Sequence, residues 1–197
     1  NTLGVNVHRG AYALAYESTK MFEEARTTVA KWIHADDEEI VFTRGATSAL
    51  NMVAHAYLDI LQPGDEIITS ELEHHSSLLP WQQVAKKTGA KLVYITLTEE
   101  GRITVEAFKK ALSDHTKMVA LTHVSNVMGY ITPIEDIIRL AHEKGAHVVL
   151  DAAQSAPHMA LHVKQLDVDY LAFSGHKMFG PSGVGVLYGK KKLLDRL

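Results

Sequence analysis

Apolar positions along the chain follow two rhythms that alternate. Met21, Phe22, Ala25, Val29, Trp32 and Ile33 recur at helical spacing, which predicts an amphipathic helix over residues 16–34. Ile40-Val41-Phe42-Thr43 reads as a short buried strand. Thr47 or Ser48 is placed to cap a helix continuing to about residue 61. Gln62-Pro63-Gly64-Asp65 is a turn, followed by a strand over 67–69 and a helix over about 79–87 that ends near Gly89.

The alternation continues to the end of the chain. A strand over 92–97 precedes a helix capped by Thr104 that runs to Leu112, then a strand over 118–122. Thr132-Pro133 opens a helix, by the preference for proline at the first helical position, and Gly145 closes it. Strands follow over 147–150, 170–174 and 185–188. Most of these strands are unbroken apolar runs, as expected where helices cover both faces of a parallel sheet. The pattern predicts an α/β fold of three layers, αβα. The loop over 175–183 is too short for a crossover between parallel neighbours, so the last strand is expected to run antiparallel in a mostly parallel sheet.

Composition narrows the function classes. The 197 residues are 46% hydrophobic and 22% charged, a globular profile, and no repeat or linker divides them. The net charge of -3 offers no basic field for nucleic acid. No apolar run approaches the ~18 residues of a membrane span. Cysteine is absent, which removes disulfides, thiolate metal sites and any cysteine nucleophile, and fits a cytoplasmic protein. The first residue is not Met, which suggests a processed or truncated chain.

Candidate chemistry collects at the ends of strands. Asp151 follows Val148-Val149-Leu150, at the carboxyl end where open α/β sheets bind ligands, and Gln154 lies close enough to share its site. Ser174-Gly175-His176-Lys177 follows another apolar strand. It combines two phosphate donors with an amine suited to a carbonyl, and its glycines permit close approach of backbone to a ligand. Gly45-Ala46-Thr47-Ser48 turns a strand into a helix and would offer free N–H groups to an anion, although it is not a P-loop. No G-x-G-x-x-G turn follows the first strand, so a nicotinamide cofactor has no support. Glu73-His74-His75 lacks further ligands at a metal-binding spacing, so a histidine stacked on a flat ring, or a satisfied loop histidine, fits better than a metal.

Taken in order, Asn-Val-His-Arg-Gly (6–10), Thr-Arg-Gly-Ala-Thr (43–47), Glu-His-His-Ser-Ser (73–77), His-Val-Ser-Asn-Val-Met-Gly (123–129), Asp-Ala-Ala-Gln-Ser (151–155) and Ser-Gly-His-Lys-Met-Phe-Gly-Pro-Ser-Gly-Val-Gly (174–185) resemble the cysteine desulfurases of the class V aminotransferase superfamily. The likeness is greatest to the Suf-type branch, which includes selenocysteine lyases. It implies pyridoxal 5'-phosphate (PLP) and the fold type I architecture. By resemblance, Lys177 would carry the cofactor covalently, Asp151 would pair with the pyridine nitrogen, Gln154 would bond the ring hydroxyl and His75 would stack on the ring. Thr47, Ser174 and His176 would hold the phosphate, together with the backbone N–H of Ala46. Asn126 would lie near the ring and the substrate carboxylate, and His8 on the substrate side.

Residues 1–197 would then be a partial PLP-binding large domain, without the family's N-terminal arm and C-terminal small domain. The family's sulfur-accepting cysteine and carboxylate-clamping arginine also lie in later segments. The resemblance implies L-cysteine or selenocysteine as substrate, a homodimer, and a sulfur-acceptor protein serving iron–sulfur cluster assembly. Two other readings stand beside it: a folded fragment without turnover, and another class V enzyme such as an aminotransferase.

Overall fold

Continuous apolar strands need cover on both faces. The computed structural model, which describes residues 7, 8, 10 and 12–196, provides it. The strands are β1 (Ile40–Thr43), β2 (Glu66–Thr69), β3 (Lys91–Tyr94), β4 (Thr116–Thr122), β5 (His147–Asp151), β6 (Tyr170–Ser174) and β7 (Gly185–Gly189). They form one sheet in the order β1-β7-β6-β5-β4-β2-β3. Only β7 is reversed, pairing antiparallel with both β1 and β6, as the short preceding loop requires.

Side chains alternate between the two helical layers with the period of the pleat. Val148 and Leu150 pack on α1 (Ala13–Ile33), α4 (Val105–Ala111) and α5 (Ile134–Glu143) through Ile33, Phe108 and Ile137. Val149 instead faces α2 (Ala46–Ala56) and α3 (His75–Thr88), where Leu50, Val53 and Trp81 are buried. Met118 and Ala120 share that second layer, while Val119 and Leu121 belong to the first. Each fully buried residue of this kind contributes about 1.5–3 kcal/mol. A one-residue slip of any central strand would exchange its layers, so the register is firmly fixed.

Several helix ends differ from the sequence expectation. α2 is capped by Gly45 with no side-chain cap, and it ends at Ala56, where a tighter turn through Tyr57 takes over. α3 starts at His75, before residue 79, because the His74 imidazole accepts the N–H of Ser76 and caps the first turn. Pro80 is thereby inside the helix. Pro133 is the residue preceding α5 rather than its first residue. Thr104 caps α4 as expected, its hydroxyl accepting the N–H of Ala107 at 3.1 Å.

Two short helices, α6 (Val163–Leu166) and α7 (Lys191–Leu194), complete the structure. Asp169, buried just before β6, ties the edges together. It accepts from the N–H of Val148 at 2.7 Å and from Lys190 at 2.9 Å, and it pairs with His142 of α5 at 2.8 Å. Close approach matters most at Gly185, where a Cβ would lie 2.4 Å from the Cα of Gly45. Glycine there lets the reversed strand pass directly beneath the start of α2.

Candidate active site

The carboxyl ends of β4, β5 and β6 converge. Thr122 is in register with Asp151, and Asp151 with Ala172. Just beyond them is a small cleft of about 200 Å³. It lies outside the carboxyl ends of parallel strands, where open sheets leave room for a ligand.

Asp151 forms its floor. The carboxyl is 5% exposed, and its Oδ1 accepts the N–H of Ala153 at 2.9 Å. Burial raises the carboxyl above the usual range, and the Ala153 N–H, Lys177 and His74 pull it back down. A carboxylate so placed gains from any cation delivered to its open side.

Lys177 and His176 reach the cleft from a 3-10 turn over Gly175–Lys177 that follows β6 directly. The turn is held from beneath, because Gly175 donates its N–H to Val184 and accepts from Met178 and Gly180. A Cβ on Gly180 would meet the Gly175 carbonyl oxygen at 2.9 Å, so the turn tolerates no side chain there.

The start of α2 forms the opposite wall. Ala46 donates its N–H to the Ser174 hydroxyl oxygen at 2.8 Å, leaving the Ser174 hydrogen free to donate onward. Among the described residues, the N–H groups of Thr47 and Ser48 have no protein acceptor. Free N–H groups, the helix dipole and a buried hydroxyl together make an anion cradle.

Most of the sequence-selected residues meet here. Ala46, Thr47, Asn126, Asp151, Gln154, Ser174, His176 and Lys177 all line the cleft. His75 does not. Of the two adjacent histidines, His74 lines the cleft, and both line a broader groove between α2 and α3. The cap explains the choice: His74 Nδ1 lies 2.7 Å from Ser76 Oγ and 3.1 Å from Ser76 N, which fixes that imidazole at the head of α3. His8 is also outside the lining. Its N–H donates to Thr19 Oγ1 at 2.9 Å, and its ring packs edge-on against Phe22, with Nε2 at 3.2 Å from Glu23. Its motif neighbours Asn6 and Arg9 lie outside the described residues.

Ser76, Thr122, Val124 and Ala153 also line the cleft without having been singled out in the sequence. Thr122 was discoverable, as the last residue of an apolar strand adjoining the strand that ends in Asp151. Ser76 was not, because its place depends on where α3 begins.

A family model for aminotransferase class-V matches residues 2–197. The chain belongs to the class-V aminotransferase family. Among the family's curated members, a probable cysteine desulfurase of Halalkalibacterium halodurans is 51% identical over 194 residues, covering 98% of this chain and 48% of the relative. The cysteine desulfurase of Haloferax volcanii is 46% identical over 195 residues, covering 98% and 46%. Among solved class-V structures, the cysteine desulfurase of Thermococcus onnurineus superposes with a TM-score of 0.94 at 45% identity, covering 98% of this chain and 48% of that one. CsdA of Escherichia coli, also a cysteine desulfurase, gives 0.88 at 45% identity, covering 98% and 49%. The chain spans about half the length of the class-V relatives it matches.

Proposed function

We propose that this chain is the cofactor-binding part of a PLP-dependent cysteine desulfurase, with Lys177 as the cofactor's covalent anchor. The observation that carries the reading is the convergence of Asp151, Lys177 and the α2 anion cradle on one cleft. PLP needs those three things: an amine for its aldehyde, a carboxylate for its ring nitrogen and donors for its phosphate. The donor set therefore fits the group. The 51% identity with a probable cysteine desulfurase supports the same choice.

When bound, PLP draws electrons away from the α-carbon of an amino acid. The chain's residues supply the surroundings. Asp151 would keep the ring nitrogen protonated, and its burial would strengthen that interaction. Thr47, the Ala46–Ser174 pair and His176 orient the phosphate end. His74 covers one face of the cleft. The Lys177 amine, once free, would take a proton from the substrate α-carbon and return one at the β-carbon. Asn126 and Gln154 also line the cleft, where they would meet the substrate side and the ring hydroxyl.

Removal of sulfur from cysteine needs a thiolate, because only that group combines the nucleophilicity and polarisability to accept it. The chain holds no cysteine, so the accepting thiol belongs to another segment or protein. Selenocysteine is the related substrate, since selenium leaves with less help. A homodimer and a separate sulfur acceptor complete the proposal.

The test is direct. Purified chain incubated with PLP should turn yellow. Borohydride reduction and peptide mapping should then place the pyridoxyl group on Lys177, and Lys177→Ala should abolish the label. A label on another lysine, or none, refutes the reading. The PLP-loaded chain should release no alanine from cysteine above the level of free PLP. Alanine production that depends on Lys177 would refute the need for an outside thiol.

A further inference from the structure

A second carboxyl lies beside the site and has no part in the reading above. Glu73 is 6% exposed, directly before His74, in the turn between β2 and α3. Its Oε1 accepts from the Ser70 hydroxyl at 2.8 Å. Ser70 Oγ also accepts the N–H of Leu72, so this hydroxyl shapes the whole turn. Glu73 Oε2 is buried with no hydrogen-bond partner. The charge of Asp151, two strands away across β4, pushes Glu73 in the same direction as its burial.

We propose that Glu73 is a positioning residue that holds a proton in this buried turn, so that Asp151 is the only anion of the site and His74 keeps its place at the head of α3. This inference rests on the proposed PLP reading for its functional meaning, but its physical content belongs to the chain alone.

Burial is the main cause: a carboxylate taken out of water with one oxygen unpartnered is strongly disfavoured, and the Asp151 charge adds a smaller push in the same direction. Asp151 has the Ala153 N–H, Lys177 and His74 in its favour. Glu73 has the Ser70 hydroxyl in its favour and the Thr122 backbone nearby, though Thr122 makes no hydrogen bond to it, and burial outweighs both, pushing it up to about 8. The neutral acid costs little to bury and retains the Ser70 contact. An ionised Glu73 would compete with Asp151 for the positive charge that the cofactor's ring nitrogen brings.

The sign of the pH effect follows. Glu73 in the unfolded chain ionises near 4.5, and in the folded chain near 8. Between these values the folded state holds the extra proton, so the contribution of Glu73 to stability falls as pH rises from about 4.5 to 8. Glu73→Gln keeps the shape and removes the titration. Thermal melts of the chain at pH 5 and pH 8.5, without cofactor, should show the Gln variant gaining several degrees on the wild type at the higher pH. PLP titration followed by visible absorbance should give the Gln variant an affinity within about twofold of wild type, and Glu73→Ala a loss of tenfold or more. Parallel melting of wild type and Gln variant across the range overturns the proposal. So does a Gln variant that binds PLP as poorly as the Ala variant, because the charged form would then be the useful one. If no variant binds PLP, including the wild type, the PLP reading fails and the melts alone decide whether Glu73 holds its proton.

Discussion

The backbone N–H of Ala46 donates to the Ser174 side-chain oxygen at 2.8 Å, joining the first turn of α2 to the end of β6 across 128 residues of sequence. Both partners are buried, so this is the contact that makes one anion cradle from two distant segments.

Replacing Ser174 with Ala should therefore act twice. The Ala46 N–H would be left buried without a partner, a cost of about 1–3 kcal/mol in stability. The hydroxyl free to donate to a phosphate would also be lost, which should weaken PLP binding by roughly tenfold, the equivalent of about 1.4 kcal/mol. Denaturant melts and a PLP titration measure the two separately. Unchanged PLP affinity would remove Ser174 from the cradle.

Asp151→Asn keeps the size and the Ala153 contact but removes the charge. In a longer protein that contains this chain and turns over cysteine, the rate should fall at least ~100-fold, about 2.7 kcal/mol of barrier. PLP affinity should fall by less than tenfold. A rate within twofold of wild type is incompatible with a role at the ring nitrogen.

The two neighbouring histidines should behave unequally. His74 lines both the cleft and the neighbouring groove and caps α3, whereas His75 lines the groove but not the cleft. His74→Ala should shift the cofactor's visible absorption and cost about 1 kcal/mol from the lost cap. His75→Ala should leave the spectrum unchanged. The opposite result would restore His75 to the ring face.

Away from the site, His142 offers a pH prediction. Its hydrogen bond to buried Asp169 raises its titration above 6.5, while partial burial opposes the rise. The pair's contribution is fully present below 6.5 and is lost as pH climbs through the folded value. His142→Ala should thus destabilise the chain by about 1.5–3 kcal/mol at pH 5, and by clearly less at pH 9. Equal losses at both values would show that the histidine acts by packing alone.

The strands were legible because parallel strands covered on both faces leave unbroken apolar runs, as Val148-Val149-Leu150 does. The reversed β7 was legible from the length of the loop before it. Asp151 and Lys177 stood out because each directly follows such a run. The choice between His74 and His75 was not legible, since it turns on a side-chain cap that starts α3 four residues before the helical pattern becomes clear, with Pro80 obscuring the first turns. The burial of Glu73 was equally hidden. A glutamate in a turn ordinarily points to water, and only the convergence of β2, β4 and β5 encloses it.

The position of β7 between β1 and β6 has a consequence for biosynthesis. Among the described residues β1 pairs only with β7, which is synthesised after all the other strands of the sheet. Until Gly185–Gly189 emerge, β1 has no strand to pair with, and the Gly45 turn that leads into α2 lacks the surface it rests on. A nascent chain halted before Gly185 would already carry Asp151 and Lys177, yet the two halves of the anion cradle would not be clamped together. Any PLP capture during translation should thus begin abruptly, only once β7 has cleared the ribosome.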